Sequence, residues 1–237
     1  MRKGGIMFNI LAAGLLSIGA VACGQGAEPD SDTLQNATAA RAVPKAALDF
    51  EAKAEDAYDT ALKGDIAGVR AAAASLGDLW KKLRKIVQRD RLSSATIRAL
   101  DKAVARFSSL SATSTDRVQL ARAANAISDP MDDVFELYHP KVPPTLISLD
   151  FLGREIVLDC KESALQPAAS HLKALEAEWA GLRPKVVKAG GSTQATNLDD
   201  ALAAARKAIG SQDFAELEKR AQAVLDLVDS MEHDLHW

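Results

Sequence analysis

The sequence predicts an all-α protein made of two tandem copies of an up-down four-helix bundle, with eight helices in all. First, apolar residues recur in alternating steps of three and four, which places them on one face of a helix. No stretch alternates convincingly with the period of two expected of a strand. Second, 48% of the 237 residues are hydrophobic but only 5% are aromatic, a balance that favours helices. Third, short motifs of the first half recur in the same order about 100 positions later.

The internal repeat extends over most of the chain. Leu48-Asp49-Phe50 recurs as Leu149-Asp150-Phe151, 101 positions later. A second set lies 99 positions apart and pairs Trp80, Leu83, Arg84 and Val87 with Trp179, Leu182, Arg183 and Val186. Leu100-Asp101 returns as Leu198-Asp199, and the last matched pair, 97 positions apart, is His139 and His236. The slow drift of the offset is what short loop deletions would produce, so we interpret the chain as a tandem duplication.

Each copy contains apolar stripes for four helices. In the first copy we predict helices near 46–63, 65–88, 93–111 and 115–138. In the second copy we predict them near 145–163, 165–187, 195–209 and 212–235. Pro130 predicts a kink or restart near Ser128–Asp129, and Pro184 predicts that the second helix of copy two bends or ends. The proline-rich segment 140–144 separates the two repeat units, which we place at 46–139 and 145–237.

The first 22 residues have the features of a secretory signal peptide. A basic start, Met1–Arg2–Lys3, precedes a run from Ile6 to Ala22 that is apolar or small except for Asn9 and Ser17. The run ends in Ala20-Val21-Ala22-Cys23, which resembles the lipobox of bacterial lipoproteins.

That resemblance implies that Cys23 is acylated, becomes the new N-terminus and holds the protein on a membrane through its lipid. Gly24 follows, instead of the aspartate that marks retention in the inner membrane, so the resemblance favours the outer membrane if the organism has one. Residues 23–45 are polar and lack periodicity, and we predict that they form a flexible tether.

The composition and the motifs of the chain argue against several classes of function. The formal net charge of −3 argues against nucleic acid as a partner. The chain contains no P-loop, no Gly-x-Ser-x-Gly and no His-Glu-x-x-His. We therefore expect a non-enzymatic binding or scaffold protein whose ligand is an unidentified protein or small molecule. An enzyme of an unfamiliar type stays open as an alternative.

Metal binding is the main alternative function. His233 and His236 are three residues apart near the C-terminus, and His139 stands at the position equivalent to His236. These imidazoles are candidate ligands for copper, zinc or nickel, and a transition metal is the one cofactor that the sequence suggests. The competing interpretation is that imidazoles near a helix C-terminus simply complement the helix dipole.

A basic run near the end of the second helix is a candidate contact for an anionic partner. The candidate patch consists of Lys81, Lys82, Arg84 and Lys85, and the run continues to Arg89 and Arg91. Anionic headgroups, cell-wall polymers or an acidic protein are the partners that such a run would suit. The competing interpretation is a solvated helix end whose cations suit the dipole.

Three further residue types have structural roles in this interpretation. We predict that Trp80 and Trp179 anchor the two cores, with a groove-lining role as the alternative. Cys160, the one cysteine besides Cys23, is expected to be buried. Asp49 and Asp150, from the repeated Leu-Asp-Phe, could cap the first helix or bind between helices, and capping or surface exposure is the default expectation.

Overall fold

The computed structural model describes residues 42–237, and within this range the chain forms nine helices and no strand. The predicted all-α class is therefore confirmed. The predicted signal peptide, Cys23 and most of the predicted tether lie outside the described residues. No helix between residues 42 and 237 combines the length and the apolar character that a bilayer span requires.

Two groups of helices follow one another along the chain. Unit 1 contains α1 (Lys45–Leu62), α2 (Ile66–Arg89), α3 (Ser94–Thr113), α4 (Arg117–Asn125) and α5 (Met131–Glu136). Unit 2 contains α6 (Thr145–Lys161), α7 (Leu165–Lys188), α8 (Ser192–Ser211) and α9 (Phe214–Asp234). In unit 1, α1 to α4 pack in a ring in which each helix contacts its neighbours in sequence and α4 returns to α1. Helices α6 to α9 form the same ring in unit 2, as a tandem duplication requires.

Pro130 and Pro184 affect their helices differently. The fourth helix of unit 1 is interrupted before Pro130, so α4 and α5 replace the single helix drawn from the sequence and raise the count to nine. Pro130 then stands just before the first turn of α5, where its missing N–H costs little. By contrast, α7 continues through Pro184 to Lys188, and an end at this proline is wrong. Leu182 and Val186 are buried on either side of exposed Pro184, and their packing outweighs the lost hydrogen bond.

Each unit has its own apolar core, built from the stripes that the periodicity indicates. The first helix shows how small side chains serve this packing. Its inward residues are fully buried although most are alanines: Ala47, Phe50, Ala54, Ala57 and Ala61. A comparable close approach occurs in unit 2, where a Cβ added to Gly153 would lie 2.7 Å from the Leu225 side chain. Small residues therefore bring α1 and α6 close to the helices that cover them.

Helix α6 lies between the two units. It packs against α7 and α9 of its own unit and against α4 and α5 of unit 1. A helix covered on several sides has apolar residues all round instead of one apolar stripe. The polar side chains of α6 are consequently enclosed as well, and Asp150, Glu155 and Asp159 are each at most 5% exposed. This position decides where the buried charges of the protein collect.

Candidate functional site

Each unit contains the same hydrogen-bonded motif around its buried tryptophan. In unit 1, Trp80 Nε1 donates to Asp101 Oδ1 at 2.8 Å, and Arg84 Nε donates to the same carboxylate oxygen at 3.1 Å. The indole lies in the core, 5% exposed, so its N–H needs this acceptor. Unit 2 repeats the arrangement with Trp179, Asp199 and Arg183.

We expect Asp101→Asn and Asp199→Asn to destabilise the protein by similar amounts, about 1 kcal/mol each. Either change removes the charge that an arginine contacts and weakens the acceptor of an indole N–H. Urea denaturation measures both effects, and Asp200→Asn, at an exposed neighbouring position, is the matched control with an expected effect within about 0.5 kcal/mol. Strongly unequal losses at the two aspartates would contradict the equivalence of the two motifs.

A cluster of charged residues lies where α1 of unit 1 meets α6 and α9 of unit 2, with Glu51 and Asp150 buried at its centre and Asp229 exposed at its edge. We call it the acidic interface. Its members are Glu51, Glu55, Asp150, Arg154, Asp229 and Glu232. Five carboxyl groups thus surround a single guanidinium group. Burial of so many like charges is costly unless some of them are protonated.

Arg154 is the cation that joins the two units within the acidic interface. Its Nη2 donates to Glu55 Oε1 of α1 at 2.8 Å and to Asp150 Oδ2 on its own helix. The guanidinium carbon also lies 5.5 Å from the centre of the Tyr58 ring, within the range of a cation–π contact. Arg154, Glu55 and Asp150 are all nearly enclosed, with side-chain exposures of 11%, 12% and 7%. The ion pairs are therefore weakly screened by solvent.

The carboxyl groups of the acidic interface hold protons more tightly than ordinary acids do. Burial raises the pKa of Glu51 to about 7 and that of Asp150 to about 8. Burial also raises the pKa of Glu232, well above its usual range, and the pKa of Glu55. Neither carboxyl oxygen of Glu51 has a hydrogen-bond partner among residues 42–237, which agrees with a group that gains little from ionising. We therefore expect Glu51 and Asp150 to change protonation near neutral pH.

A second polar network, the Arg122 network, lies on another side of α6. Arg122 of α4 donates to Glu155, to Asp159 Oδ1 at 3.0 Å and to Glu162 Oε2 at 2.7 Å. Asn125, one turn further along α4, donates to Glu155 Oε1 at 2.9 Å. Because α4 belongs to unit 1 and α6 to unit 2, this network also joins the two units.

The Arg122 network contains the one three-residue group between residues 42 and 237 whose ligand atoms are close enough to hold a metal ion. Atoms of Glu155, Asp159 and His171 lie within 4.8 Å of one another. His171 Nδ1 is 2.7 Å from Asp159 Oδ2, and this hydrogen bond raises the pKa of the imidazole. Arg122 already contacts both carboxylates, so a metal ion would have to displace its guanidinium group.

The three histidines predicted as metal ligands occupy other places. His233 is exposed near the end of α9, and its Nδ1 lies 2.8 Å from the carbonyl oxygen of Asp229. Helix α9 ends at Asp234, so His236 lies beyond it, where its backbone N–H donates to Ala189. His139 follows α5 with a φ of 48°. Metal binding by these three residues stays a prediction, and within the described chain they form no three-ligand group with each other or with acids.

The predicted basic run belongs to a larger basic surface. We call residues 78–107, the second half of α2 with most of α3, the basic hairpin. The segment carries nine basic and three acidic side chains, a net charge of +6, whereas the rest of the chain carries 20 basic and 29 acidic groups. All the cations except Arg84 are exposed: Lys81, Lys82, Lys85, Arg89, Arg91, Arg98, Lys102 and Arg106. The hairpin is thus a positive surface on a protein that is otherwise acidic.

The three acids of the basic hairpin are all engaged with neighbouring residues. Asp78 accepts from Lys81 at 2.9 Å, and Asp101 belongs to the tryptophan motif. Asp90 accepts from Arg89 at 2.9 Å and from the Tyr138 hydroxyl at 2.9 Å. Among the four residues of the predicted patch, Lys82 and Lys85 are exposed and make no ion pair within the described chain. Lys102 of α3 shares these properties.

The structure also shows where the two tryptophans, Cys160 and the repeated aspartates lie. Trp80 and Trp179 lie in the two cores, 5% and 4% exposed. Cys160 is buried, and this burial raises the pKa of its thiol to about 12. Asp49 is exposed and pairs with Lys45, but its counterpart Asp150 is buried in the acidic interface. Neither aspartate caps a helix, and the surface position expected for Asp150 is wrong because unit 1 covers α6 there.

The sequence patterns do not predict the acidic interface or the Arg122 network. Their signal is present in α6, where Asp150, Arg154, Glu155 and Asp159 interrupt an apolar segment that has no single stripe. Charges within such a segment indicate a helix enclosed on several sides whose polar groups must pair.

Comparison with known proteins does not add to this description. No known family, no curated protein and no solved structure matches the chain.

Proposed function

We propose that the protein is an exported, membrane-anchored, non-enzymatic binding or scaffold protein, and that the basic hairpin is its contact surface for an anionic partner. The observation that carries this proposal is the difference in charge between the two equivalent hairpins. Residues 78–107 of unit 1 have a net charge of +6, and the matching residues 177–206 of unit 2 have four basic and three acidic groups, a net of +1. Two copies of one fold thus differ at their surface.

The fold itself explains the parts of the hairpin that the two copies share. It does not explain the difference in their net charge. The tryptophan, aspartate and arginine of the tryptophan motif are present in both units. The exposed lysines are not, because Ala180 and Gly181 stand where unit 1 has Lys81 and Lys82. Unit 2 folds without these cations, and a concentration of like charge is itself unfavourable to folding. A partner of opposite charge would explain why unit 1 carries these exposed lysines.

The joint between the units supports a scaffold role. Arg154 and Arg122 each connect a helix of unit 1 to carboxylates on α6, and Ser148 of α6 donates to Asp132 Oδ2 at 2.9 Å. Buried polar contacts of this kind need good geometry, so they favour one relative orientation of the units. A protein built this way presents the basic hairpin at a fixed position relative to unit 2.

Retention on immobilised polyphosphate tests the proposed binding surface. The protein would be the chain from residue 23 onward with Cys23→Ser. We expect salt-dependent retention that is lost when Lys82, Lys85 and Lys102 are all changed to Gln. The control changes Lys185, Lys188 and Lys207 to Gln, which removes the same charge from exposed sites in unit 2. Equal retention of both triple variants would contradict an anionic partner at the basic hairpin.

Metal binding is a second candidate function, and the close approach of Glu155, Asp159 and His171 is the observation that favours it. One imidazole and two carboxylates suit Zn²⁺. Titration of the untagged protein with Zn²⁺ and Cu²⁺, followed by calorimetry, tests this function. Loss of binding in His171→Ala would assign the ion to the Arg122 network, and loss in His233→Ala with His236→Ala would assign it to the C-terminus. Absence of binding below about 10 µM would end this candidate.

A further inference from the structure

We propose that the anionic partner of the basic hairpin is the phospholipid surface of the membrane that holds the protein. This inference rests on the proposed function, because it identifies the partner of the same surface. It adds an orientation: unit 1 lies with α2 and α3 toward the bilayer, and unit 2 is held away from it.

The first argument is the place where the chain enters the fold. Ala42 and Pro44, the start of the described chain, line a cleft of about 300 Å³ together with Arg89, Asp90 and Tyr138. The entry point is therefore beside the turn of the basic hairpin. Cys23 precedes Ala42 by 19 positions, and a chain of that length spans at most about 65 Å. An acyl group on Cys23 would hold the fold within this distance of the membrane, and the chain would enter the fold beside the basic hairpin.

The second argument is the distribution of charge. The basic hairpin carries +6, and the remaining chain carries a net of −9. A bilayer that contains anionic lipid attracts the first surface and repels the second, so the electrostatic energy favours one orientation. Exposed lysines and arginines near such a surface each increase binding by about a factor of five.

The third argument concerns affinity. The eight exposed cations lie on α2, on α3 and in the turn between them, and a contact as broad as this suits a surface of many phosphate groups. Contacts of this kind are weak for a protein free in solution and are screened by salt. A lipid anchor removes this weakness, because attachment within reach of the surface raises the effective concentration to the millimolar range. A dispersed basic surface close to the anchor is therefore sufficient for docking.

Vesicle sedimentation tests this inference with the chain from residue 23 onward carrying Cys23→Ser, so that no acyl group contributes. The vesicles would contain either phosphatidylcholine alone or phosphatidylcholine with 30% phosphatidylglycerol. We expect binding only to the anionic vesicles, with a strong decrease between 50 and 300 mM NaCl. Changing Lys82, Lys85 and Lys102 to Gln is expected to weaken partitioning about a hundredfold. The control triple variant at Lys185, Lys188 and Lys207 is expected to lose less than about threefold.

The possible outcomes distinguish failure of the membrane inference from failure of the proposed function. Retention on polyphosphate without binding to anionic vesicles would overturn the membrane inference and leave the proposed function standing, with a soluble anionic polymer or an acidic protein as the partner. Failure to bind either probe would overturn both. Vesicle binding that the two triple variants reduce equally would show that the basic hairpin is not the docking surface. Circular dichroism of both variants establishes that each is folded before these results are compared.

Discussion

Changing Arg154 to Met is expected to destabilise the protein by about 3 kcal/mol at pH 8, the largest effect of any single substitution proposed for this chain. Methionine keeps most of the side-chain volume but removes the one guanidinium group among five carboxyl groups. Glu55 and Asp150 then lose their shared partner in an environment that water hardly reaches. Urea denaturation monitored by tryptophan fluorescence measures the loss.

The duplication supplies a matched control for this experiment. Lys53 stands 101 positions before Arg154, at the equivalent place in α1, and pairs with Asp56 at 3.0 Å on the surface. We expect Lys53→Met to change the stability by less than about 0.5 kcal/mol, because exposed ion pairs contribute little. Similar small losses for the two variants would contradict the structural role of the acidic interface.

Stability is expected to fall as the pH rises from 5 to 9, the second large effect. Glu51 and Asp150 have pKa values raised to about 7 and about 8 in the folded protein, above those of the unfolded chain. A raised carboxyl pKa means that folding favours the protonated form. The stabilisation is therefore complete below the unfolded pKa near 4 and is lost as the pH passes through 7 to 8. Glu51 alone accounts for about 3 kcal/mol, since each pKa unit corresponds to about 1.4 kcal/mol.

His171 also makes the folded protein more stable at low pH than at high pH. Its hydrogen bond to Asp159 raises the imidazole pKa, so its contribution to stability is also present at low pH and lost as the pH rises through that value.

The groups that face Glu51 come from three elements: Asp132 in α5, Asp150 and Arg154 in α6, and Ser128 in the turn between α4 and α5. The carboxylates among them oppose ionisation of Glu51, and Arg154 promotes it.

Glu51→Gln is the decisive variant for this pH dependence. The amide has nearly the shape of the protonated acid and cannot ionise, so the variant should lose part of the slope between pH 5 and 7 and become more stable than the natural chain at pH 9. Denaturation midpoints at five pH values are sufficient to detect this. A natural chain whose stability is constant or rises across this range would contradict the buried, proton-holding state of the acidic interface.

The two predictions bear on function through the joint between the units. If unit 1 carries the docking surface, unit 2 is positioned by whatever holds α6 against α1 and α4. Arg154 and Arg122 lie at that joint, and both bridge from one unit to the other. A variant that loosens this joint without unfolding either core would separate the binding role of the basic hairpin from the scaffold role of the whole protein.

The sites differ in how far the sequence could predict them. Lys81, Lys82, Arg84 and Lys85 are visible as a basic run, but the run could not show that Arg84 is committed to Asp101. It also could not show that Arg98, Lys102 and Arg106 belong to the same hairpin. The acidic interface combines residues from α1, α6 and α9 that are up to about 180 positions apart, and no local spacing relates them.

The helical class, the tandem repeat, the inward stripes and the interruption at Pro130 follow from the order of residues alone. These features depend on contacts within a turn or two of one helix, and the side-chain period of a helix is the same wherever the helix lies. The environments of equivalent residues were decided only by the tertiary structure. Asp49 and Asp150 share one motif, yet water surrounds the first while unit 1 covers the second, because packing one bundle against the other encloses α6 and leaves one face of α1 open. The same three-residue motif thus contributes a surface ion pair in one copy and a buried carboxyl group in the other.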